Sequence, residues 1–411
     1  MMENEQSAET ARNEPQDRGE AVTLMEPMLI QHDSRQRDEL ADLALELTAR
    51  STALRHSLPD GVVCALATLV RSMNCYYSNL IEGHDTHPID IERALNDDYS
   101  QDPIKRDLQL EARAHISVQQ WIDDGEGVAG QATSADNIFA MHRRFCELLP
   151  KSLLQVEPAK TGERIDIAPG ALRQRDVQVG RHVAVSPGAL PRFLVRFEHA
   201  YARLGKVDAI VGTAAAHHRL LWMHPFLDGN GRVARLMSNA MLRDALDTGG
   251  IWSIARGLAR NDSVYKAHLA NCDLPRRNDL DGRGQLSERA LSEFAHFFLT
   301  TCIDQVKFIE VLIQPEQLHA RIKNWAAEQI RLGALPDGAD IILESALYRG
   351  EVPRGAVAGL VGASERSARR VTAALLKRGV VVAQTQRKPL RLAFPATLAS
   401  RWMPGLFPDK V

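Results

Sequence analysis

The chain has 411 residues, of which 45% are hydrophobic and 25% charged. This composition is typical of a folded globular protein with two or three domains, and it excludes a chain that is disordered throughout. The 50 Lys and Arg residues nearly balance the 52 Asp and Glu residues, which gives a formal net charge of -2. The total charge therefore indicates neither a nucleic-acid nor a membrane partner, and a charged partner must be sought in the local distribution of charge.

The cysteines and the N-terminal residues indicate the compartment. The cysteines form no CxxC pair and have no regular spacing, which argues against a disulfide framework and a structural zinc site. They are Cys64, Cys75, Cys146, Cys272 and Cys302. The first twenty residues are acidic and polar, unlike a secretory signal, and no apolar stretch of about 18 residues occurs. We therefore expect a cytoplasmic protein that does not span a membrane.

The N-terminal segment and the apolar periodicity predict the first elements. Residues 1–40 carry ten Asp or Glu and four Lys or Arg, a net charge of -6, and we predict an acidic flexible tail over residues 1–37. From Leu40 onward apolar residues recur at three- and four-residue spacing, which predicts a mainly α-helical chain. After the helices near Leu40 to Leu47 and Val62 to Val70, the predicted helices are Leu108–Ile122, Ile138–Leu149, Leu190–Leu204, Val207–Met223, Gly231–Leu246, Leu286–Leu312 and Glu316–Arg331.

Two interruptions divide this helical pattern. Residues 175–185 alternate apolar and polar side chains on both sides of Gly180, which predicts a short β-hairpin. The breaker cluster Leu335-Pro336-Asp337-Gly338 predicts a domain boundary. We therefore predict a helical domain over residues 38–314, a connecting helix and linker over 315–339, and a small C-terminal domain over 340–411.

Residues 224–235, HPFLDGNGRVAR, form the most informative motif of the chain. The turn Gly229-Asn230-Gly231 directly precedes a predicted helix, so unpaired backbone N–H groups and the positive end of the helix dipole meet at one point. Arg232 and Arg235 are three residues apart and share one face of that helix, from which both guanidinium groups can reach the same anion. The motif therefore predicts a phosphate-binding site.

The residues before the turn supply further chemistry. Asp228 offers a carboxylate oxygen of the kind that Mg²⁺ uses when it also holds substrate phosphates. His224 can accept a proton near neutral pH and is the candidate general base. Phe226 is expected to anchor the loop in the core. The alternative is an ordinary helix–loop–helix connection with solvated arginines, but a base, an acid, an anion-binding turn and two arginines within twelve residues favour a functional site.

This motif resembles the signature of the Fic family, HxFx(D/E)GNGRxxR, at every defined position. The resemblance extends from about Leu40 to Leu312, with His217 seven residues upstream of His224 and the hairpin at 175–185 where Fic proteins carry a flap. It implies a Fic helical bundle with a β-hairpin flap. It also implies a protein adenylyltransferase, which transfers AMP from Mg-ATP to a Tyr, Ser or Thr hydroxyl of a target protein.

The resemblance also implies the role of each motif residue. His224 deprotonates the target hydroxyl and Asp228 holds Mg²⁺ on the nucleotide. Phosphate and nucleotide binding fall to Phe226, Gly229, Asn230, Gly231, Arg232 and Arg235. Asp228 argues against the Doc-like phosphotransferase variant, while other nucleotide or phosphocholine donors stay open. Tyr265 lies either in an adenine pocket or simply in the core as a half-buried aromatic residue.

A second motif, residues 78–83 (SNLIEG), is similar to the inhibitory (S/T)xxxE(G/N) motif of Fic proteins. The resemblance implies that Ser78, Glu82 and Gly83 end an inhibitory helix near residues 65–83. There Glu82 pairs with Arg235 and blocks the γ-phosphate site, as in the N-terminally inhibited class. The alternative is a solvated glutamate at a helix end. Some Fic enzymes use the same glutamate to remove AMP from a target, and the sequence does not separate the two directions.

The hairpin would act as the flap beside which a target peptide adds as an extra strand. The candidate docking residues are Val177, Val179, Arg181 and Val183, and the alternative is an ordinary surface hairpin. The target protein is not identified by the sequence. The resemblance also implies self-modification and a homodimer.

Residues 340–395 predict three helices followed by two strands, an order that resembles a winged helix–turn–helix domain. Ser364 would cap the third helix, residues 365–378, and Gly379 would end it. Ten Lys or Arg against four Asp or Glu give this segment a net charge of +6, which predicts binding to duplex DNA. The candidate DNA-binding residues are Arg366, Arg369, Arg370, Arg387 and Lys388.

Three interpretations of the whole chain stay open. The first is an adenylyltransferase with an internal inhibitory helix and a winged-helix domain. The second is a transcriptional regulator whose Fic site is degenerate, although the intact motif residues argue against degeneracy. The third is a regulator in which bound ATP alters the winged-helix domain through the helix at Glu316–Arg331. In each case the C-terminal domain could dock a protein or a second copy of the chain instead of DNA.

Overall fold

A computed structural model of the protein describes residues 15–34, 36–127, 131–157 and 162–408. As the sequence predicted, the fold is mainly α with a few short β-hairpins. The first helices are α1 (Arg37–His56), α2 (Asp60–Ile81), α3 (Pro88–Leu95), α4 (Pro103–Asp123), α5 (Ala135–Glu147), α6 (Leu190–Tyr201), α7 (Lys206–Met223) and α8 (Asn230–Ala245). The later helices are α9 (Ala255–Arg260), α10 (Asp262–Cys272), α11 (Glu288–Leu312), α12 (Pro315–Arg331), α13 (Ala339–Arg349), α14 (Val357–Leu360), α15 (Glu365–Lys377) and α16 (Ala399–Trp402).

The strands form three antiparallel pairs of two residues each. The pairs are β1 (Gln155–Val156) with β2 (Ile165–Asp166), β3 (Gln178–Val179) with β4 (His182–Val183), and β5 (Val381–Val382) with β6 (Arg391–Leu392). The second pair lies within the hairpin predicted at residues 175–185. The first pair was not predicted, because residues 155–166 lack the apolar–polar alternation of residues 175–185.

Helices α7 and α8 pack extensively against each other, and α1 packs along α11, with both α1 and α11 in contact with α7. Every residue of α7 from Ile210 to Leu220 is buried, as expected for a helix that is covered on all sides. The loop between α7 and α8 carries the motif of residues 224–235. The two most buried helices of the domain therefore hold the candidate site.

The N-terminal segment differs from its prediction. Residues 1–14 of the predicted flexible tail lie outside the described residues, but residues 15–34 pack on the bundle with Met25, Met28 and Ile30 buried. The buried Tyr201 hydroxyl donates to the Met28 carbonyl at 2.6 Å. The flexible-tail prediction is wrong for this segment, because the average composition concealed three apolar residues that fit the core.

The C-terminal region has the predicted order of helices and strands. Helices α13, α14 and α15 precede the β5–β6 pair, and the Ser364 hydroxyl caps α15 at the Ser367 N–H, 3.3 Å away. This region rests against α2, where the backbone of Gly61 approaches that of Gly350 so closely that a Cβ at Gly61 would collide with it. The Tyr77 hydroxyl, near the end of α2, donates to the Leu406 carbonyl at 3.1 Å. The last described residues thus hold the end of α2.

No helix in the described parts of the chain is long and apolar enough to cross a membrane. The five cysteines are free, with Cys64 exposed and the other four buried.

Candidate active site

The loop between α7 and α8 has a fixed backbone. His224 ends α7 in the left-handed conformation, with φ 50°, and Gly229 precedes α8 with φ 80°. A non-glycine residue in this conformation is uncommon and is associated with functional sites. The Asn230 side chain spans the loop, because it accepts from the Phe226 N–H and donates to the Phe226 carbonyl, both at 2.9 Å. Asn230 therefore shapes the anion-binding turn as well as belonging to it.

Phe226 anchors the loop in the core, as predicted. It is fully buried and stacks on His142, with ring centroids 3.9 Å apart and planes 2° apart. His142 accepts from the Gly170 N–H at Nδ1, 2.9 Å away, and donates from Nε2 to the Asp228 carbonyl at 3.2 Å. Sequence reasoning missed His142, because nothing in the sequence places α5 against this loop.

His224 is held in a form that can accept a proton. Its Nδ1 lies 3.3 Å from the Leu221 carbonyl, so Nδ1 carries the hydrogen and Nε2 keeps its lone pair. Burial lowers the pKa of His224 to about 4. The imidazole is therefore neutral at neutral pH, as a general base requires.

Arg235 is held by residues 78–83, the segment that resembles the inhibitory motif. Its guanidinium is buried, forms an ion pair with the Glu82 carboxylate and donates from Nε to the Ser78 hydroxyl at 2.8 Å. The Glu82 carboxylate also covers Gly231, where any side chain would collide with it. Glu82 thus lies over the anion-binding turn, and Gly83 follows with the positive φ of a helix C-terminus.

Arg232 has a second acidic neighbour that sequence reasoning missed. Its Nη2 lies 3.5 Å from the Glu111 carboxylate of α4, and the other oxygen of Glu111 lies 2.6 Å from Nδ1 of His84. This hydrogen bond raises the pKa of His84. Glu111 could not be found from sequence, because it reaches the site only through the packing of α4 against α2 and α8.

Asp228 presents an exposed carboxylate beside the turn, 4.0 Å from Nη1 of Arg232. Among the described residues, no group of three or more His, Cys, Asp or Glu side chains could hold a metal ion by itself. A single exposed carboxylate still fits Mg²⁺ that arrives with a nucleotide, because Mg²⁺ keeps several waters and binds one or two carboxylates plus substrate phosphates.

Tyr265 is almost fully buried. Its hydroxyl lies 2.7 Å from Nε2 of His217, whose Nδ1 lies 2.8 Å from the Ser238 hydroxyl. Burial raises the pKa of Tyr265 to about 12. These contacts fit the core interpretation of Tyr265, and they place His217 in the same buried chain.

The predicted flap has an accessible edge. Val179 and Val183 have 48% and 60% of their surface exposed, and Arg181 is exposed at the turn between them, whereas Val177 is partly buried. His182 ties the flap to α7, because its Nε2 lies 2.7 Å from the Trp222 carbonyl. The five basic candidates of the C-terminal region are all exposed: Arg366, Arg369, Arg370, Arg387 and Lys388.

Comparisons with known proteins define the class of this domain. Residues 132–242, which contain the motif, match the model of the Fic/DOC family. The Fic/DOC domain predicted from the signature is thereby confirmed for this segment.

Two groups of similar proteins agree with this class. The curated proteins "Protein adenylyltransferase Fic" of Drosophila grimshawi and of Drosophila virilis are each 32% identical over 138 residues. The match covers 33% of this chain and 28% of those proteins, so this chain spans little more than a quarter of their length. The crystal structure of a Fic family protein from Desulfovibrio desulfuricans G20 aligns with a TM-score of 0.52 at 16% identity, over 89% of this chain and 98% of that one. At this identity the likeness supports the fold alone.

Proposed function

We propose that the protein is a protein adenylyltransferase that transfers AMP from Mg-ATP to a hydroxyl group of a target protein and that Glu82 inhibits it. The observation that carries the proposal is the position of Glu82, whose carboxylate lies on Arg235 and Gly231 at the start of α8. A carboxylate in a ready anion site indicates that the natural ligand of that site is another anion. The neutral His224 at the other end of the same loop supplies the base.

The transfer step follows from these groups. Nε2 of His224 takes the proton of the target hydroxyl, the hydroxyl oxygen bonds to the α-phosphorus, and the bond to the bridging oxygen breaks to release pyrophosphate. Bound at Asp228, Mg²⁺ would neutralise charge on the phosphates. Arg232 and Arg235 would hold the β- and γ-phosphates, and the Gly229–Gly231 turn would orient the α-phosphate with its N–H groups.

The inhibition follows from competition for Arg235. Its guanidinium cannot bind Glu82 and a γ-phosphate in the same orientation, so Mg-ATP binds productively only when Glu82 leaves. Glu82 has φ -81° and ψ -1°, which alanine adopts without strain. Glu82→Ala therefore removes the carboxylate and leaves the backbone of the helix end unchanged.

Radiolabelled ATP tests the proposal with purified wild type, Glu82→Ala and the double variant Glu82→Ala/His224→Ala. We expect strong self-labelling of Glu82→Ala, weak labelling of wild type and none of the double variant. Equal labelling of wild type and Glu82→Ala would contradict the inhibition, and labelling of the double variant would contradict the role of His224. Mass spectrometry of the labelled protein identifies the transferred group.

The same glutamate could orient a water that removes AMP from a modified target. The double variant Glu82→Ala/His224→Ala cannot serve as the acceptor for this test, because we expect that it carries no AMP. Labelled Glu82→Ala protein, freed of ATP, is the usable acceptor. Release of AMP by added wild type, and not by added His224→Ala, would show removal as a second activity.

We also propose that residues 340–411 form a winged helix–turn–helix domain that binds duplex DNA, joined through residues 315–339 to a catalytic domain over 38–314. The net charge of +6 between residues 340 and 395 and the exposed arginines of α15 support this role. Binding to duplex DNA should weaken steeply with salt, and Arg369→Ala should reduce the slope by about one. A slope near zero would leave only docking of a protein or a second copy. We place the protein in the cytoplasm.

A further inference from the structure

Arg173 is a buried cation that the proposed reaction does not use. It lies in the segment before the flap, and only 3% of its surface is exposed. Its guanidinium donates to the backbone carbonyl groups of Met223, His224, Arg175 and Val185. Burial lowers the pKa of Arg173 to about 10, so it stays charged at neutral pH. A buried charge is costly, and a site that keeps one among carbonyl groups needs an explanation.

The four carbonyl groups belong to two different parts of the site. Two end α7, and one of these is the His224 carbonyl, 2.7 Å from Nε of Arg173. The other two flank the flap, with Arg175 before β3 and Val185 after β4. A planar guanidinium can satisfy several acceptors at fixed angles, which a lysine ammonium cannot do. One side chain therefore fixes the distance between His224 and both arms of the flap.

We propose that Arg173 is a positioning residue that sets the catalytic base against the strand on which the target docks. The proposal rests on the proposed function, because only a docked target makes the distance between flap and base matter. The target hydroxyl must reach hydrogen-bond distance of Nε2 of His224, and a displacement of about 1 Å can reduce the rate about 100-fold. Arg173 also holds the carbonyl group of His224, whose backbone is in the left-handed conformation. Without the Arg173 side chain, His224 loses one of the contacts that fix this conformation.

The backbone shows the same coupling. The Arg173 N–H donates to the Pro225 carbonyl at 3.0 Å, so the segment before the flap is attached on both sides of His224. The backbone bond and the His182–Trp222 contact remain when the Arg173 side chain is changed. The flap should therefore stay attached in Arg173 variants, while the position of His224 relative to it becomes less defined.

Kinetics of Arg173→Lys and Arg173→Met in the Glu82→Ala background test this role. The readouts are the single-turnover rate of self-labelling with ATP and the Kd of Mg-ATP by calorimetry. We expect the rate to fall about 10- to 100-fold in both variants while the Kd changes less than about threefold. The control is Arg164→Ala, an exposed arginine paired with Glu157 on the neighbouring hairpin, which should change neither value. A rate unchanged in Arg173→Lys, or a Kd that weakens in proportion to the rate, would overturn the proposal.

A second readout separates this proposal from the proposed function. The charge of Arg173 lowers the pKa of His224, after the larger effect of burial. NMR titration of the His224 ring should therefore give a higher pKa in Arg173→Met than in the parent and no change in Arg164→Ala. If Glu82→Ala transfers no AMP, the proposed function fails while this titration still reports whether Arg173 acts on His224. An unchanged His224 pKa in a folded Arg173→Met would contradict the coupling.

Discussion

Removal of the Glu82 carboxylate should make the protein less stable and, under the proposed inhibition, more active. Arg235 is 3% exposed and has Glu82 as its acidic partner, so Glu82→Ala leaves a buried guanidinium without a carboxylate, although the Ser78 hydroxyl and carbonyl still accept from it. Breaking a fully buried ion pair costs about 3–5 kcal/mol. The Glu82 side chain is 34% exposed and Ser78 keeps its hydrogen bonds. We therefore reduce the expected loss to roughly 1–3 kcal/mol.

The pH dependence of this loss has a definite sign. Burial alone would raise the pKa of Glu82, but the charge and hydrogen bond of Arg235 outweigh it, and the pKa lies below the ordinary value of 4.5. A carboxylate with a lowered pKa in the folded state stabilises the protein above the unfolded pKa and loses that effect as the pH falls through the folded value. The stability difference between wild type and Glu82→Ala should therefore be complete at pH 7 and shrink below about pH 4.5.

Thermal denaturation with and without Mg-ATP measures both effects. At pH 7 the melting temperature of Glu82→Ala should lie below that of wild type, and that of Glu82→Gln should lie between the two. The control is Glu126→Ala, which changes an exposed glutamate on a loop and should melt at the same temperature as wild type. A ligand at 100 times its Kd stabilises by about 2.7 kcal/mol, so Mg-ATP should raise the melting temperature of Glu82→Ala more than that of wild type. Equal melting temperatures of wild type and Glu82→Ala at pH 7 would refute the reasoning that Arg235 needs its acidic partner.

Two further predictions concern the frame around the site. Burial lowers the pKa of His115 and of His217 from 6.5 to about 3. As the pH falls from 7 to 5, each of these histidines therefore takes up nearly one proton in the unfolded chain and stays neutral in the folded chain. Each histidine should therefore lower the free energy of unfolding by roughly 2 kcal/mol between pH 7 and pH 5. The stability of His217→Gln should depend less on pH than that of wild type, and an equal pH dependence in denaturation experiments would contradict this. Tyr77→Phe should cost about 1 kcal/mol, because the hydrogen bond to the Leu406 carbonyl is lost, and an unchanged melting temperature would show that this contact contributes nothing.

The turn and the hairpin of the site could be predicted from the sequence, because each is determined by residues that are neighbours in the chain. The turn before α8 and the hairpin near Gly180 lie in short segments whose glycines and alternation determine the backbone. The contact between Glu82 and Arg235 joins residues 153 positions apart. It was available only because both lie in motifs that resemble one family. Glu111, which lies in no motif, was missed although it reaches the neighbouring arginine.

The buried groups that position the site could not be predicted for a related reason. Arg173 and His142 act on backbone carbonyl groups, and a carbonyl leaves no trace in the sequence that would identify its partner. The prediction of a flexible tail was wrong for a similar reason, because Met25 is buried and its segment packs on α6, which is distant in the sequence. Sequence patterns thus indicated which segments carry the chemistry, and tertiary packing decided which side chains hold them in place.

The two arginines of the site face carboxylates that differ in burial, and this difference supports the proposal that Glu82, and not Glu111, inhibits. Glu111 has a side chain only 10% exposed and is bonded to His84, so its displacement from Arg232 would leave a carboxylate buried away from water. Glu82 lies at the end of α2 with a third of its side chain exposed, so water can hydrate its carboxylate when a phosphate takes its place on Arg235. A phosphate should therefore displace Glu82 from Arg235, and it should bind Arg232 while Glu111 stays in place. It follows that Glu111→Gln should not release the enzyme as Glu82→Ala does, and comparable self-labelling of the two variants would show that both carboxylates inhibit.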